Sequence, residues 1–204
     1  GRAGGTSGVE GRPIRGKDWD RDRGVSAIVA FRPNNGTNGR YFTLSQRPEV
    51  NLGEDSLLGT GAITNVSQVW AAGPEVGLRW RRLVVKAEYY HIGVNRSHNA
   101  SGQPLSNLGF DGWYASANYT LFGTPRAYNI KEGAFAAPGV KEEQEFTPNT
   151  GHWGALEITG RYSETDLNSN LSSSTGVRGG NQIVWSGGLN WYPNRHFRVM
   201  LDYN

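Results

Sequence analysis

Val66-Ser67-Gln68-Val69-Trp70-Ala71-Ala72-Gly73-Pro74-Glu75-Val76-Gly77-Leu78-Arg79-Trp80 decides the fold class. Along it Val66, Trp70, Ala72, Val76, Leu78 and Trp80 fall on one face, with Ser67, Gly73, Glu75, Gly77 and Arg79 on the other. Side chains of an extended strand point alternately to opposite sides, so a period of two marks a strand with one apolar and one polar face. The next run puts Leu83, Val85, Ala87 and Tyr89 opposite Lys86, Glu88 and Tyr90. Only Arg81-Arg82 separates the two runs, which predicts an antiparallel hairpin with a tight turn.

The pattern recurs downstream. Trp113, Ala115, Ala117, Tyr119 and Leu121 oppose Tyr114, Ser116, Asn118 and Thr120, and Leu156, Ile158 and Tyr162 oppose Glu157, Thr159 and Arg161. Ile183, Trp185, Leu189 and Trp191 oppose Gln182, Ser186 and Asn190; after Pro193-Asn194-Arg195, Phe197, Val199, Leu201 and Tyr203 oppose Arg198 and Asp202. Shorter runs at Val25 to Arg32 and Arg40 to Arg47 bring the expected count to about eight strands. Residues 1–24 are rich in Gly and charge without periodicity and read as a loop, leaving the strands to 25–204.

Connections alternate between tight (Arg81-Arg82, Pro193-Asn194-Arg195) and long and polar (48–65, 95–109, 167–181). Short turns at one rim and long loops at the other are the layout of an outer-membrane barrel, with the short turns on the periplasmic side. The segment 123–152 breaks the rule, being long at the short-turn rim. Trp70 and Trp80 stand ten residues apart on the apolar face, roughly 33 Å of strand. A tilt of about 40° brings that to about 25 Å, the height of a lipid-facing band with an aromatic girdle at each edge.

Composition agrees. In 204 residues there are 29 Gly, 7 Trp, 9 Tyr, 7 Phe and no Cys. Gly and aromatic residues suit turns and pleated surfaces better than helices. No apolar run reaches the roughly 20 residues of a spanning helix, a test blind to barrels, whose alternating faces permit a mean hydropathy of −0.57. With 21 Lys and Arg against 18 Asp and Glu, charge gives no reason to expect a nucleic-acid partner. The chain opens on Gly1-Arg2-Ala3-Gly4-Gly5 without a signal peptide and closes in mid-strand at Asn204, so both ends read as cut.

If the sheet curls into a barrel, Arg32, Arg47, Arg79, Lys86, Arg161 and Arg198 face the lumen, beside Glu75, Glu88, Glu157 and Asp202. Fixed cations in a narrow polar channel favour the entry of anions. The plainer reading is that these charges pair across strands and fill a polar wall. Asp18, Asp20 and Asp22 with Gly24 resemble a calcium loop superficially, but the Gly falls one place late and no Glu follows at the twelfth position. His91, His98, His152 and His196 lack ligand spacing. No metal or other cofactor is expected, and no nucleophile, base and orienting group can be assembled into a catalytic site.

Tyr41-Phe42-Thr43-Leu44 with Arg47-Pro48-Glu49, Gly112-Trp113-Tyr114, Tyr119-Thr120-Leu121 and Gly154-Ala155-Leu156-Glu157 occur in order. Gly160-Arg161-Tyr162-Ser163 with Asp166-Leu167-Asn168, then Gly188-Leu189-Asn190-Trp191-Tyr192-Pro193-Asn194, follow them. Together they resemble the C-terminal half of the phosphate-selective porin O and P family. The resemblance implies a trimeric transmembrane barrel of about sixteen strands per subunit in the bacterial outer membrane, passing small anions, phosphate or polyphosphate, without chemistry. It also implies about seven strands before Val25 and one after Asn204, because open sheet edges do not persist in lipid. The family's long periplasmic segment folds into the lumen, which would let Arg126, Lys131 and Lys141 meet passing solute; a plain solvated loop is the alternative. The run from Phe31 to Tyr41 is shorter than the family pattern and leaves room for a missing piece between 33 and 39. The expected partners are two further subunits, outer-membrane lipid or lipopolysaccharide and small anions. Rival readings are a general porin, a barrel anchoring a surface-layer protein, and a soluble carbohydrate-binding β-sandwich.

Overall fold

The computed structural model describes residues 3–10, 14–15, 18–31, 41–46, 58–129, 131 and 134–204. Its main sheet contains β1 (Ala3–Glu10), β2 (Ile14–Arg15), β3 (Trp19–Phe31), β8 (Val66–Trp80), β9 (Leu83–Arg96), β10 (Leu108–Phe122), β13 (Ala155–Ser169), β14 (Val177–Tyr192) and β15 (Val199–Tyr203). The strands run β1-β3-β8-β9-β10-β13-β14-β15, with β2 beside β3, and every pairing is antiparallel. This all-β meander is the arrangement of a barrel wall, and among the described residues the sheet does not close on itself. Four small strands lie outside it before β8: β4 (Tyr41–Phe42) pairs with β7 (Ile63–Thr64), and β5 (Ser45–Gln46) with β6 (Leu58–Gly59). β11 (Tyr128–Asn129) and β12 (Ala134–Phe135) form a further hairpin between β10 and β13.

Register places the faces as alternation requires. Trp80 pairs with Leu83, Leu83 with Tyr119, Tyr119 with Ile158, Ile158 with Leu189 and Leu189 with Leu201, an unbroken apolar row across six strands. All of these but the half-buried Leu83 are exposed, as are Trp185 at 71% and Tyr203 at 82%, so this face has no protein cover among the described residues. Trp185 shares its row with Tyr162, Ala115, Ala87 and Val76, six residues along β8 from Trp70. Six residues of rise against four strand spacings is a slope of about 45°, so strands with that usual transmembrane tilt bring Trp70 and Trp185 to one level. Asp111, Glu164 and Asp166 also face outward, but on the long-loop side of this aromatic line. Tyr89 and His91 hold Asp111, and Tyr162 and Asn181 hold Glu164.

Four expectations need correction. Residues 1–24 are not a plain loop: Ala3–Glu10 pairs with residues 24–31, and β3 begins at Trp19. Arg40 to Arg47 does not form a wall strand; its described part contributes β4 and β5 to the small hairpin. The connections read as 95–109 and 167–181 shrink to 97–107 and 170–176, because the strands extend beyond the apolar alternation. Val66 leaves the outward face, since a bulge between Val66 and Gln68 adds one residue to β8 and reverses its side. Val66 is fully buried with Val94, Leu108, Phe110 and Leu167, all from the inward face, and with Leu58 and Ile63 from the small hairpin. That hairpin therefore lies against the inner wall, and Leu58 reaches Gly180 on β14, where an added Cβ would come within 2.6 Å of its Cδ2.

Candidate functional site: the inward wall

The inward residues line up in rows. Arg79, Val84, Asn118 and Thr159 form one, with Asp20 at its near end. The next row toward the long-loop rim is Gly77, Lys86, Ser116, Arg161 and Ser186. The row after it is Glu75, Glu88, Tyr114, Ser163 and Val184. Like charges thus stand side by side, Glu75 directly across from Glu88, with cations in the neighbouring row. Two carboxylates facing each other are destabilising in a sheet, so this wall is not arranged for pairwise neutralisation alone.

The segment 123–154 straddles the short-turn rim. On the inner side Tyr128 and Phe135 bury themselves with Val84, and Val140 with Ala155 and Tyr192. On the outer side Phe146 packs between Trp153 and Trp191, and the Trp191 indole Nε1 donates to the Trp153 carbonyl at 2.8 Å. Arg82 ties the start of the segment to the sheet, donating to the carbonyls of Thr120, Leu121 and Gly123. Apolar side chains at 128, 135 and 140 hold its first part against the wall, because they bury more area there than in an open loop.

The cations named from sequence divide by what they touch. Arg79 lies 2.6 Å from Asp20 and is spent on that pair. Arg126 grips Glu157 through Nε at 2.5 Å and Nη2 at 2.8 Å, and Asn190 donates to the same carboxylate at 3.2 Å. Burial works to lower the Arg126 pKa, but the hydrogen bond and charge of Glu157 outweigh it and hold it above the ordinary arginine value. Arg126 is an anchor. Lys86 Nζ lies 5.8 Å from the Phe135 ring centroid and Arg161 Cζ 4.5 Å from that of Tyr114. Among the described residues, neither has a carboxylate within ion-pair distance.

Lys131 is exposed at the tip of the β11–β12 hairpin. Lys141 is exposed where the segment turns away from the inner wall, 4.0 Å from Glu143. Arg198 precedes β15 at the short-turn rim, in an open cleft with Pro138, Val140 and Tyr192. Arg47 and Arg32 lie outside the described residues. The row of Lys86, Ser116 and Arg161 is thus the part of the expected set that the register brings together. Sequence reasoning weighed Asp20 only as part of a calcium loop and missed its pairing with Arg79, and it missed the part played by Tyr114. Its signal was present, since it alternates inward between Trp113 and Ala115.

Taken by name, Arg79, Lys86, Arg96, Arg126 and Arg161 balance Asp20, Glu75, Glu88, Glu157 and Asp202 among the described inward residues. What varies is placement. No group of three His, Asp or Glu side chains among the described residues could hold a metal ion.

A family model described as phosphate-selective porin O and P matches residues 22–204. No curated protein and no solved structure matches the chain. The antiparallel meander, the exposed apolar face with its aromatic line and the charged inner wall are the parts of an outer-membrane channel wall. With a match over most of its length, the chain belongs to the phosphate-selective porin O and P family, the outer-membrane porins.

Proposed function

We propose that the protein of which this chain forms the wall conducts small anions passively, with phosphate or polyphosphate as the solute and a homotrimer as the working form. One observation carries the reading: Lys86 and Arg161 share an inward row with Ser116, and both rest on aromatic faces and, among the described residues, not on carboxylates. Guanidinium and ammonium groups held this way keep N–H donors available to a passing oxyanion, and serine hydroxyls beside them add neutral donors. No covalent chemistry is needed, because entry is favoured by the field of the wall and exit by the weakness of any single contact.

The near balance of inward charge favours a second reading, a general porin with little ion preference. Reversal potentials in planar bilayers under a KCl gradient separate the two, since chloride and potassium preference have opposite signs. The anion reading expects chloride preference, reduced by Lys86→Gln with Arg161→Gln. A channel with no preference, or one favouring potassium, sinks it. Lipopolysaccharide around the barrel belongs to the same proposal, whereas a surface-layer partner at the long-loop rim belongs to the rival anchoring reading; pull-down from outer-membrane extract tests that partner.

A further inference from the structure

Tyr114 stands between two groups of opposite charge that would otherwise meet. It lies directly across the strand pair from Glu88. The Arg161 guanidinium lies over its ring, 4.5 Å from the centroid. Arg161 and Glu88 are separated by two strand spacings and one row, about 12 Å between Cα atoms, which two extended side chains can close. No ion pair forms between them. The aromatic ring occupies the path, offering Arg161 a face that attracts cations without neutralising them.

We infer that Tyr114 is a specificity-determining residue of the channel: it keeps Arg161 from collapsing onto Glu88 and so keeps that cation available to permeating anions. The inference rests on the anion-channel reading but makes a demand of its own. Selectivity must depend on a side chain that carries no charge. Removing the ring lets Arg161 and Glu88 pair, and the field that the wall presents to anions falls although the formal charge is unchanged. Ser116, the row neighbour of Arg161, and Ser163, opposite Tyr114, are too short to replace the ring as a spacer.

The experiment measures reversal potentials of the intact reconstituted channel under a KCl gradient for wild type, Y114A, Y114L, Y114F and R161Q, with Y114A and Y114L repeated on E88Q. Y114A and Y114L should shift the reversal potential toward potassium by an amount similar to R161Q. Y114F, which retains the ring, should stay near wild type. On E88Q, where Arg161 has no carboxylate to reach, Y114A should produce no shift relative to E88Q alone. Y114L carries the test should Y114A fail to assemble. Absence of a shift in the folded Tyr114 variants overturns the inference, as does an equal shift with and without Glu88, which marks a merely structural ring. Because the readout is the shift on substitution, a wild-type channel preferring potassium defeats the anion reading while this inference is still judged separately.

Discussion

Arg126 and Glu157 form a two-pronged ion pair at 2.5 and 2.8 Å, with the Glu157 side chain fully buried on the inward face of β13. One partner belongs to the long segment at the short-turn rim and the other to the wall, so the pair fixes how that segment sits. Breaking a buried pair by removing one charge leaves the other desolvated, at a cost of about 3–5 kcal/mol.

Glu157→Gln should therefore release residues 123–141 from the wall while the main sheet persists. Hydrogen exchange should rise in that segment and stay low in β10 and β13. Arg126→Met combined with Glu157→Leu should restore part of the protection, because neither charge is then left buried. Equal exchange in wild type and Glu157→Gln would show that Tyr128, Phe135 and Val140 seat the segment unaided.

Neighbouring positions on β10 separate the two faces. Ala117 points outward within the apolar band and Ser116 inward between Lys86 and Arg161. Ala117→Arg should destabilise the folded channel by about 2–4 kcal/mol, the cost of a cation at the lipid midplane. Ser116→Arg should cost less than about 1 kcal/mol, since channel water and salt screen its neighbours. Urea unfolding in lipid vesicles reads both; a reversed order would mean that the faces are misassigned.

Arg79 faces the lumen but is paired with Asp20. Replacing the two together, Asp20→Asn with Arg79→Gln, removes a neutral pair and should leave the reversal potential within error of wild type. Arg161→Gln alone should move it toward potassium. If the double replacement moves it as far, pairing does not silence a lumen cation.

Gly180 has φ +93 and lies under Leu58. Gly180→Ala introduces a Cβ both in a backbone region that L-residues avoid and within 2.6 Å of Leu58 Cδ2. The small hairpin should loosen from the wall, making 41–64 easier to cleave with protease and raising single-channel conductance. Unchanged conductance with increased cleavage would place the hairpin to one side of the solute path.

Much of the wall was legible because the code is local. A period of two, read from Leu83 to Tyr90, assigns each side chain to a face without knowledge of its neighbours. What failed was set by partners. Ala3–Glu10 becomes a strand through backbone bonding to β3, and its Gly-rich sequence carries no alternation. Val66 moved to the other face through a single inserted residue, which no pattern announces. For the candidate site, the sequence supplied the row of Lys86 and Arg161 but could not distinguish Arg126, consumed by Glu157, from a cation open to solute. That distinction depends on where a long segment lies in space.

The two inner inserts differ in when they can form during assembly. Arg126 and Glu157 are 31 residues apart, so the segment at the short-turn rim can seat as soon as β10 and β13 pair. Leu58 meets Gly180 only after β8, β9, β10, β13 and β14 are in register, a contact of high sequence separation that closes slowly. The entrance on the long-loop side should therefore be the last part of this wall to acquire its final width, and the one most easily trapped unfinished in a misassembled channel.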